Sequence, residues 1–403
     1  MKNKKIVLAY SGGLDTSVMI RWLKDKYRCD IIACVVDVGQ MEDFNLIKKR
    51  ALKSGAKKVY IIDAKEEFVK EYLYSAIKSN AIYENKYLLG TALARPLIAK
   101  KVAEIGIKEK AYALSHGATG KGNDQVRFEL GFKYFAPEIK IIAPWRQWNI
   151  RSRSEEIEYA KKHNIEISVT KEKPYSSDAN LWHISYEGGI LEDQNNPPKE
   201  DMFQLTVSPQ EAPSEPVFIE IEFKKGIPVR LNNKKYNPVE LIHRLNEIAG
   251  KNGIGRVDIV ENRLIGIKSR GVYETPAGTL LIASHRELES LVLDTETLHY
   301  KQILELKYAE LIYYGLWYTN LRECIDAFIN KTQEYVCGKI KLKLYKGNII
   351  IVGRESKYSL YSKKLATFEK DELFNQKDAE GFINLFGLQT RFESLLRKRK
   401  INK

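Results

Sequence analysis

The sequence predicts an α/β protein: an N-terminal doubly wound parallel sheet of five strands, followed by an α+β region and a C-terminal helical arm. Strand and helix patterns alternate over the first 165 residues, and the second predicted strand, residues 30–38, is apolar almost throughout. Such alternation implies parallel strands joined by right-handed crossovers, and a strand that helices cover on both faces is apolar along its length. After residue 165 proline and glycine become frequent and the pattern changes.

Hydrophobic spacing and capping signals predict the elements of the first part. Apolar residues recur at helical spacing from Thr16 to Tyr27, and a second helix is expected across residues 42–54. Asp63 with Glu66, and Ser152 with Glu155, have the spacing of capping boxes that begin a helix. The five predicted strands lie at residues 4–10, 30–38, 58–63, 110–117 and 140–145.

The remaining chain predicts two hairpins and several helices. The hairpins are expected across residues 216–231 and around Lys346-Gly347. Asn237-Pro238 begins a helix, because proline is tolerated at the first helical position, and one long helical stretch is expected across residues 298–328. We therefore expect three parts, residues 1–165, 166–362 and 363–403, the last an amphipathic segment too short for a core of its own.

Composition excludes several classes of protein. The 403 residues are 44% hydrophobic and 29% charged, which is typical of a globular chain and not of a disordered one. The longest apolar run, residues 31–36, is far too short to span a membrane, and no secretory signal is recognisable. None of the four cysteines forms a CxxC pair, so we expect reduced thiols and a cytoplasmic location.

The chain is basic, with a net charge of +14. The end of the chain, residues 397–403, carries five positive charges and no negative ones, and is expected to be a solvated end. The remaining excess suits a protein that handles anions such as nucleotides. We expect neither a nucleic acid nor a membrane as partner.

A glycine loop follows the first predicted strand. The string SGGLDTS, residues 11–17, places Gly12 and Gly13 where a backbone can approach a ligand closely, with hydroxyls of Ser11, Thr16 and Ser17 beside them. The N–H groups of such a turn and the dipole of the following helix favour an anion. The loop lacks the lysine of GxxxxGK[ST] and does not match GxGxxG, so it predicts an anion site of another kind.

A second polar loop follows the fourth predicted strand. The string SHGATGKGNDQVRFEL, residues 115–130, interleaves three glycines with Thr119, Asn123, Asp124 and Arg127. A helix cap by Asn123 or Asp124, with Arg127 on a solvated face, would explain one or two of these residues but not the set. Because parallel strands end at one edge of a sheet, both loops are expected at the same edge.

The glycine loop resembles the pyrophosphate loop of the ATP pyrophosphatases, which cleave ATP between the α- and β-phosphates. That resemblance alone leaves open the synthetases of GMP, NAD and asparagine and the tRNA thiouridylases. The second loop, with residues 87–96, 180–193, 260–278 and the ending DAEGFINLFGL, closely resembles the argininosuccinate synthase family over nearly the whole chain. The resemblance implies an N-terminal fold like that of the adenine nucleotide alpha hydrolases and a C-terminal oligomerisation arm.

The resemblance also implies a ligase of arginine biosynthesis. It would condense citrulline with aspartate at the expense of ATP, through a citrullyl-adenylate, and would be a homotetramer. The implied ATP-binding residues are Ala9, Tyr10, Ser11, Gly12, Gly13, Leu14, Asp15, Thr16, Ser17, Val36 and Gly117. The implied aspartate-binding residues are Thr119, Asn123 and Asp124. The implied citrulline-binding residues are Tyr87, Asn123, Arg127, Ser176, Ser185, Glu261 and Tyr273.

This chemistry needs no protein nucleophile, because ATP itself activates the ureido oxygen. We expect catalysis by positioning and electrostatics, with Asp15, Asp124 and Arg127 as the candidate catalytic residues. An Arg127 fork for carboxylate and a Glu261 acid for ammonium would suit a zwitterionic amino acid. No protein cluster has metal-ligand spacing, so the expected metal is Mg²⁺ carried by ATP, with Asp15 as its candidate protein contact.

Two other functions fit parts of the sequence. A tRNA thiolation enzyme would share the loop and the basic charge but needs reactive cysteines, and a non-catalytic nucleotide-binding regulator would have no use for the second loop. Ala92 stands where some family members have serine, so one citrulline contact would be absent. Several other side chains are expected to be structural, in the core or at a subunit interface: His116, His163, His183, Tyr308, Tyr313, Tyr314, Trp317 and Tyr318.

Overall fold

The computed structural model describes residues 4–150, 152–166, 175–366 and 375–401. Its N-terminal part is built on five parallel strands in the order β3-β2-β1-β4-β5. The strands are β1 (Lys5–Ala9), β2 (Asp30–Asp37), β3 (Lys58–Asp63), β4 (Ala113–Ser115) and β5 (Lys140–Ile142). The predicted five-stranded parallel sheet is confirmed. β2 and β3 are added on one side of β1, and β4 and β5 are added on the other. The strand order therefore reverses between β1 and β4, and the crevice there is the switch point where such sheets bind ligands.

Helices cover both faces of this sheet. They are α1 (Leu14–Tyr27), α2 (Phe44–Lys53), α3 (Lys65–Glu67), α4 (Tyr74–Lys78), α5 (Gly90–Lys108), α6 (Asp124–Phe135) and α7 (Arg153–Lys162), with a π-helical turn at Phe68–Leu73 between α3 and α4. Neighbouring residues of β1 alternate between two apolar cores, Val7 in one and Ile6 and Leu8 in the other. Burial on both faces explains why the strands are apolar along their length.

One of the two predicted capping boxes is wrong. The N-cap of α3 is Ala64, and the Asp63 carboxylate instead accepts the N–H of Lys65 at 3.1 Å and pairs with its ammonium. Glu66 pairs with Lys70 one turn later rather than reaching back. At α7, Ser152 Oγ accepts the Glu155 N–H at 3.2 Å, so this residue caps its helix as predicted.

Two antiparallel sheets form the rest of the fold. The first has the order β10-β9-β8-β13-β14 and contains both predicted hairpins. Its strands are β8 (Val217–Lys224), β9 (Ile227–Leu231), β10 (Lys234–Lys235), β13 (Gly338–Tyr345) and β14 (Asn348–Glu355). The second, in the order β11-β12-β7-β6, was not predicted. It consists of β6 (Ser176–Ala179), β7 (Ile184–Glu187), β11 (Arg256–Asn262) and β12 (Lys268–Glu274).

The helices of this part are α8 (Pro238–Lys251), α9 (Pro276–Val292), α10 (Thr295–Tyr313) and α11 (Asn320–Thr332). Asn237 caps α8 as predicted, through the N–H of Glu240 at 2.9 Å. The single long helix predicted across residues 298–328 is wrong, because Gly315 takes a left-handed conformation with φ of +74° and ends α10. A left-handed glycine just past the last turn is a common helix terminator.

The described chain divides into two compact units, Met1–Tyr358 and Ser359–Lys403. The second unit contains α12 (Lys363–Ala366), α13 (Asp378–Phe386) and α14 (Leu388–Ile401), and much of its apolar surface is exposed. Residues 367–374 of the predicted polar linker, and residues 402–403 of the basic end, lie outside the described residues. Among the helices that the structure describes, none is long and apolar enough to cross a membrane.

Candidate active site

The glycine loop lies between β1 and α1 at the carboxyl edge of the parallel sheet. Ser17 Oγ donates to the Gly13 carbonyl at 2.8 Å and contacts the Tyr10 hydroxyl at 2.8 Å, while Ser11 Oγ meets Thr16 Oγ1 at 3.1 Å. Gly13, the N-cap of α1, provides no side-chain cap. The first N–H groups of α1 therefore have no capping side chain, which is the arrangement that binds an anion.

Gly12 needs to be glycine for two reasons. Its φ is +82°, and a Cβ built there would lie 2.8 Å from Cγ1 of Ile47 on α2. The loop is thus pressed against α2 on one side. Its exposed residues Ser11 and Gly13 face solvent.

The second polar loop touches the first. A Cβ on Gly117 would lie 2.7 Å from Thr16 Cγ2, so the loop after β4 packs directly on the loop after β1. The Ser115 hydroxyl at the end of β4 is buried and has no partner among the described residues. Val36, one of the implied ATP-binding residues, is buried near the end of β2, which neighbours β1.

Asp15 stands in the first turn of α1 and is half-buried, with no hydrogen-bond or ion-pair partner among the described residues. No group of three or more histidine, cysteine or acidic side chains in the described parts of the chain could hold a metal ion alone. One free carboxylate beside this glycine loop suits Mg²⁺, which usually takes one or two carboxylates together with substrate phosphates.

Asp124 is held between two arginines. Arg95 Nε donates to one of its carboxylate oxygens at 2.7 Å, and Arg127 Nη1 donates to the other at 2.8 Å. Burial alone would raise the pKa of Asp124, but the two guanidiniums hold that pKa below its ordinary value. The carboxylate is therefore ionised and fixed in position, and it is a poor proton acceptor.

Arg127 is almost fully buried and is anchored from α10. Its Nε and Nη2 donate to the Tyr313 main-chain carbonyl at 3.0 and 2.8 Å. With the Nη1 bond to Asp124, three of the five guanidinium N–H groups are occupied and two remain for a ligand. The predicted solvated face for Arg127, the alternative to a site, does not exist.

The Glu261 carboxylate accepts hydrogen bonds from two tyrosine hydroxyls, that of Tyr273 at 2.9 Å and that of Tyr313 at 2.8 Å. Burial raises its pKa, while the two hydroxyls and the charge of Arg127 partly oppose that rise. Tyr87 stacks on Tyr273 with ring centroids 4.2 Å apart. Four of the predicted citrulline residues, Tyr87, Arg127, Glu261 and Tyr273, thus form one cluster.

The other predicted residues lie around this cluster at varying distance. Asn123 occupies the N-cap position of α6, as the helix-cap alternative expects, but its side chain does not cap the helix: Oδ1 accepts the Leu264 N–H at 3.0 Å. Ser185 on β7 pairs in register with Tyr273 on β12. Thr119 is exposed on the loop, and Ser176 is exposed at the start of β6. Among the described residues, neither side chain hydrogen-bonds to the cluster.

Four residues next to the predicted ones were not predicted to belong to the site: Thr91, Arg95, Asp178 and Tyr313. Arg95 Nη2 donates to Asp178 at 2.8 Å, and the Thr91 hydroxyl donates to the same carboxylate oxygen at 3.1 Å. Thr91 and Arg95 are four residues apart on α5, on one helical face, so the spacing was available as a signal. Tyr313 was expected to be core or interface, and its role here is largely that of a backbone carbonyl.

Two histidines behave as the sequence suggests. His183 is fully buried beside Thr91, and burial lowers its pKa to about 3, so the ring is neutral. His116 stacks on Phe128 and bonds Glu129 at 3.2 Å. Both histidines pack and hydrogen-bond locally.

Comparison with known proteins gives one family over the chain. The model of the argininosuccinate synthase N-terminal HUP domain matches residues 5–166, and that of the argininosuccinate synthase C-terminal domain matches residues 175–393. The argininosuccinate synthase of Endomicrobium trichonymphae is 64% identical over 98% of this chain and 96% of its own length. Those of Caldanaerobacter subterraneus and Carboxydothermus hydrogenoformans are 61% and 60% identical, again over 98% of this chain, covering 97% and 98% of their own lengths.

Proposed function

The chain belongs to the argininosuccinate synthase family, and from that premise we propose how its residues divide the binding of ATP, citrulline and aspartate. It is a ligase that forms a C–N bond. It condenses L-citrulline with L-aspartate in arginine biosynthesis, using ATP and releasing AMP and pyrophosphate through a citrullyl-adenylate.

The first step makes the ureido oxygen of citrulline a leaving group. That oxygen attacks the α-phosphorus of ATP, the bond to the bridging oxygen breaks, and its electron pair leaves with pyrophosphate. Residues 9–17, Val36 and Gly117 bind the nucleotide; the absence of a capping side chain at the N-terminus of α1 supports a phosphate there. We assign Asp15 to Mg²⁺, which when bound with ATP neutralises the phosphate charge.

Citrulline is held at its amino-acid end by opposite charges. The two free N–H groups of Arg127 bind the carboxylate, and the buried Glu261 binds the ammonium. Tyr87 and Tyr273 wall the site, and Asn123, Ser176 and Ser185 complete it. The Arg127 anchor on Tyr313 fixes the group that binds the carboxylate end.

Aspartate is bound by Thr119, Asn123 and Asp124. Asp124 stays ionised between Arg95 and Arg127, so it orients the aspartate ammonium and does not take a proton from it. The aspartate ammonium first loses a proton to solvent, and the free amine then attacks the ureido carbon. The C–O bond breaks, AMP leaves with the ureido oxygen, and the second proton of the amine is released with it. Catalysis by Asp15, Asp124 and Arg127 therefore consists of positioning and electrostatics.

One observation carries this assignment: a single loop joins the two halves of the site. At Gly117 it packs on Thr16 of the glycine loop, at Asn123 it accepts the Leu264 N–H, and at Asp124 it pairs with Arg127 of the cluster. The nucleotide and the amino acids are thereby brought to neighbouring places.

The tRNA thiolation alternative finds no support in the cysteines of the N-terminal part. Burial raises the pKa of Cys29 to about 11 and that of Cys34 to about 12, so both are thiols at neutral pH. A sulfur-transfer enzyme needs a thiolate.

An isotope experiment tests the proposal. Citrulline labelled with oxygen-18 in the ureido group is incubated with the protein, ATP and aspartate, and the AMP is analysed by mass spectrometry. Transfer of the label to AMP is expected, because the ureido oxygen attacks the α-phosphorus. Unlabelled AMP, or release of ADP and orthophosphate, would contradict it.

We also propose three parts, residues 1–165, 166–362 and 363–403, in a cytoplasmic homotetramer whose partners are small molecules and neither nucleic acid nor membrane. The family-model limits at residues 166 and 175 support the first boundary. The exposed apolar side chains of α13 and α14 support an arm that a second copy of the chain covers.

A further inference from the structure

Arg50 reaches the phosphate loop from outside it. It lies in the last turn of α2, and its Nη1 donates to the main-chain carbonyl of Gly12. Ile47, three residues earlier on the same face of α2, packs against Gly12 as well. One face of α2 therefore contacts the loop twice, through the packing of Ile47 and through the hydrogen bond of the Arg50 guanidinium.

The glycine loop has no positively charged side chain of its own to balance a triphosphate. The only charged side chain in residues 9–17 is Asp15, which is negative, so the loop itself supplies no cation for a triphosphate. Within the described parts of the chain no carboxylate lies within 4.0 Å of Arg50, although its charge acts on Glu42 and Glu166 from further away. One of its five N–H groups donates to Gly12, and the others have no hydrogen-bond partner among the described residues.

We propose that Arg50 binds the β- and γ-phosphates of ATP and then the pyrophosphate leaving group. This inference rests on the proposed function and adds to it the cation that the loop lacks. When the bond between the α-phosphorus and the bridging oxygen breaks, the electron pair stays on pyrophosphate, and the N–H groups of Arg50 donate to the oxygens that gain charge. No proton is transferred.

An arginine suits this task better than a lysine. Its planar fork can bond a phosphate in two directions while one N–H stays on Gly12. In other nucleotide-binding loops a lysine inside the loop reaches the outer phosphates. Here the neighbouring helix supplies that charge.

The test compares ligands that contain the outer phosphates with one that does not. Binding of pyrophosphate with Mg²⁺, of ATP with Mg²⁺, and of AMP is measured by titration calorimetry on the full chain and on Arg50→Gln. We expect Arg50→Gln to weaken pyrophosphate and ATP binding by about 10- to 100-fold, because charge-assisted hydrogen bonds are lost. AMP binding is expected to stay unchanged.

Two further variants test whether the effect comes from the planar guanidinium, from its positive charge alone, or from a general change in α2. Arg50→Lys keeps the charge without the fork and is expected to bind pyrophosphate with intermediate affinity. Lys49→Gln removes a neighbouring exposed cation of α2 and is expected to bind all three ligands like the unmodified chain.

The inference is overturned if Arg50→Gln binds pyrophosphate normally, or if it weakens AMP as much as pyrophosphate, since Arg50 would then only shape the loop. Equal loss in Lys49→Gln, or absence of pyrophosphate binding to the unmodified chain, would also overturn it. Failure of the proposed function looks different: the unmodified chain would make no AMP from ATP, citrulline and aspartate, whatever Arg50 does.

Discussion

Arg127 shows how one side chain can be fixed by the protein and still offer binding capacity. Three of its N–H groups donate to Tyr313 and Asp124. Because these bonds fix the plane of the guanidinium, they also fix the directions of its two remaining N–H groups. A lysine at this position could not make all three anchoring hydrogen bonds, and it could not bind a carboxylate through two parallel N–H groups. We expect Arg127→Lys to raise the KM for citrulline by about 10- to 100-fold, measured as pyrophosphate release at saturating ATP and aspartate.

Lys133→Arg is the matched control for that variant. It exchanges the same two residue types at an exposed position of the same helix, α6, and is expected to leave the KM for citrulline unchanged. An unaltered citrulline requirement in Arg127→Lys would remove Arg127 from the site.

Glu261 gives the site a pH dependence. Its carboxyl has a pKa raised by burial above the ordinary value, so it takes up a proton at a higher pH than an exposed glutamate does. Protonation removes the charge that binds the citrulline ammonium. As the pH falls, the KM for citrulline is therefore expected to rise, and the rise should begin at a higher pH than a carboxyl of ordinary pKa would cause.

Glu261→Gln tests that assignment, because its KM for citrulline is expected to be high at neutral pH and to lose this acid limb. The groups that face Glu261 are the hydroxyls of Tyr273 and Tyr313 and the charges of Arg127 and Arg263. An acid limb that persists unchanged in Glu261→Gln would assign the titration to another group.

Among single residues, the sequence predicted several of those that contribute a side-chain group to the candidate site. Asp124, Arg127, Glu261 and Tyr273 were named from motifs, and the structure gathers them, although their roles stay proposals. The carbonyl of Tyr313 that anchors Arg127 could not be found in this way, because a main-chain group leaves no signature in the residue type. Arg95 was overlooked although its spacing from Thr91 was visible.

Among the elements, the turn after α10 matters most for the site. Gly315 has φ of +74°, and a Cβ built there would lie 2.8 Å from the Cα of Arg127. Gly315→Ala would therefore push α10 away from α6 and shift the Tyr313 carbonyl. We expect a lower free energy of unfolding, by about 1–3 kcal/mol beyond the cost of the backbone strain itself, and a higher KM for citrulline.

The control for Gly315→Ala is Gly266→Ala. Gly266 also has a positive φ, +86°, but a Cβ there meets nothing within 4 Å. It should show only the backbone strain, about 1–2 kcal/mol by chemical denaturation. Equal stability and equal citrulline KM in the two variants would contradict a close contact between the turn and Arg127.

The elements also show where hydrophobic patterns succeed and fail. The parallel strands and both hairpins were predicted because their apolar residues face a core. The strand β6 was missed because its sequence, SSDA, is polar where it borders the site, and such residues have low strand propensity. The long helix was overextended because Gly315 is a single residue inside an otherwise helical stretch.

For the whole molecule, the site depends on distant parts of the chain folding together. Arg95 and Asp124 come from helices of the parallel sheet, whereas Asp178, Glu261 and Tyr313 come from the α+β region. All of them lie within the compact unit Met1–Tyr358. A rigid arrangement of this kind suits catalysis by positioning.

The C-terminal unit carries the prediction about assembly. Phe386 on α13 is 80% exposed, and Leu385 beside it is 74% exposed. If a second copy covers this face, Phe386→Asp is expected to reduce the mass in solution, measured by light scattering, from four chains to fewer. The reason is the cost of burying an unpaired charge.

Asn384→Asp adds the same charge at an exposed position of the same helix and is the control for Phe386→Asp. It is expected to keep the mass of the unmodified chain. A tetramer that survives Phe386→Asp, or an unmodified chain that is monomeric, would contradict the arm.

The carbonyl of Tyr313 has a consequence for how this family can vary. Exchanging the tyrosine for another residue removes the hydroxyl on Glu261 but keeps the oxygen that anchors Arg127. Deleting one residue anywhere in α10 would instead rotate that oxygen by about 100° around the helix axis. The guanidinium therefore constrains the number of residues in α10 more strictly than their identity, so length changes should be tolerated in the surface hairpins and not in this helix.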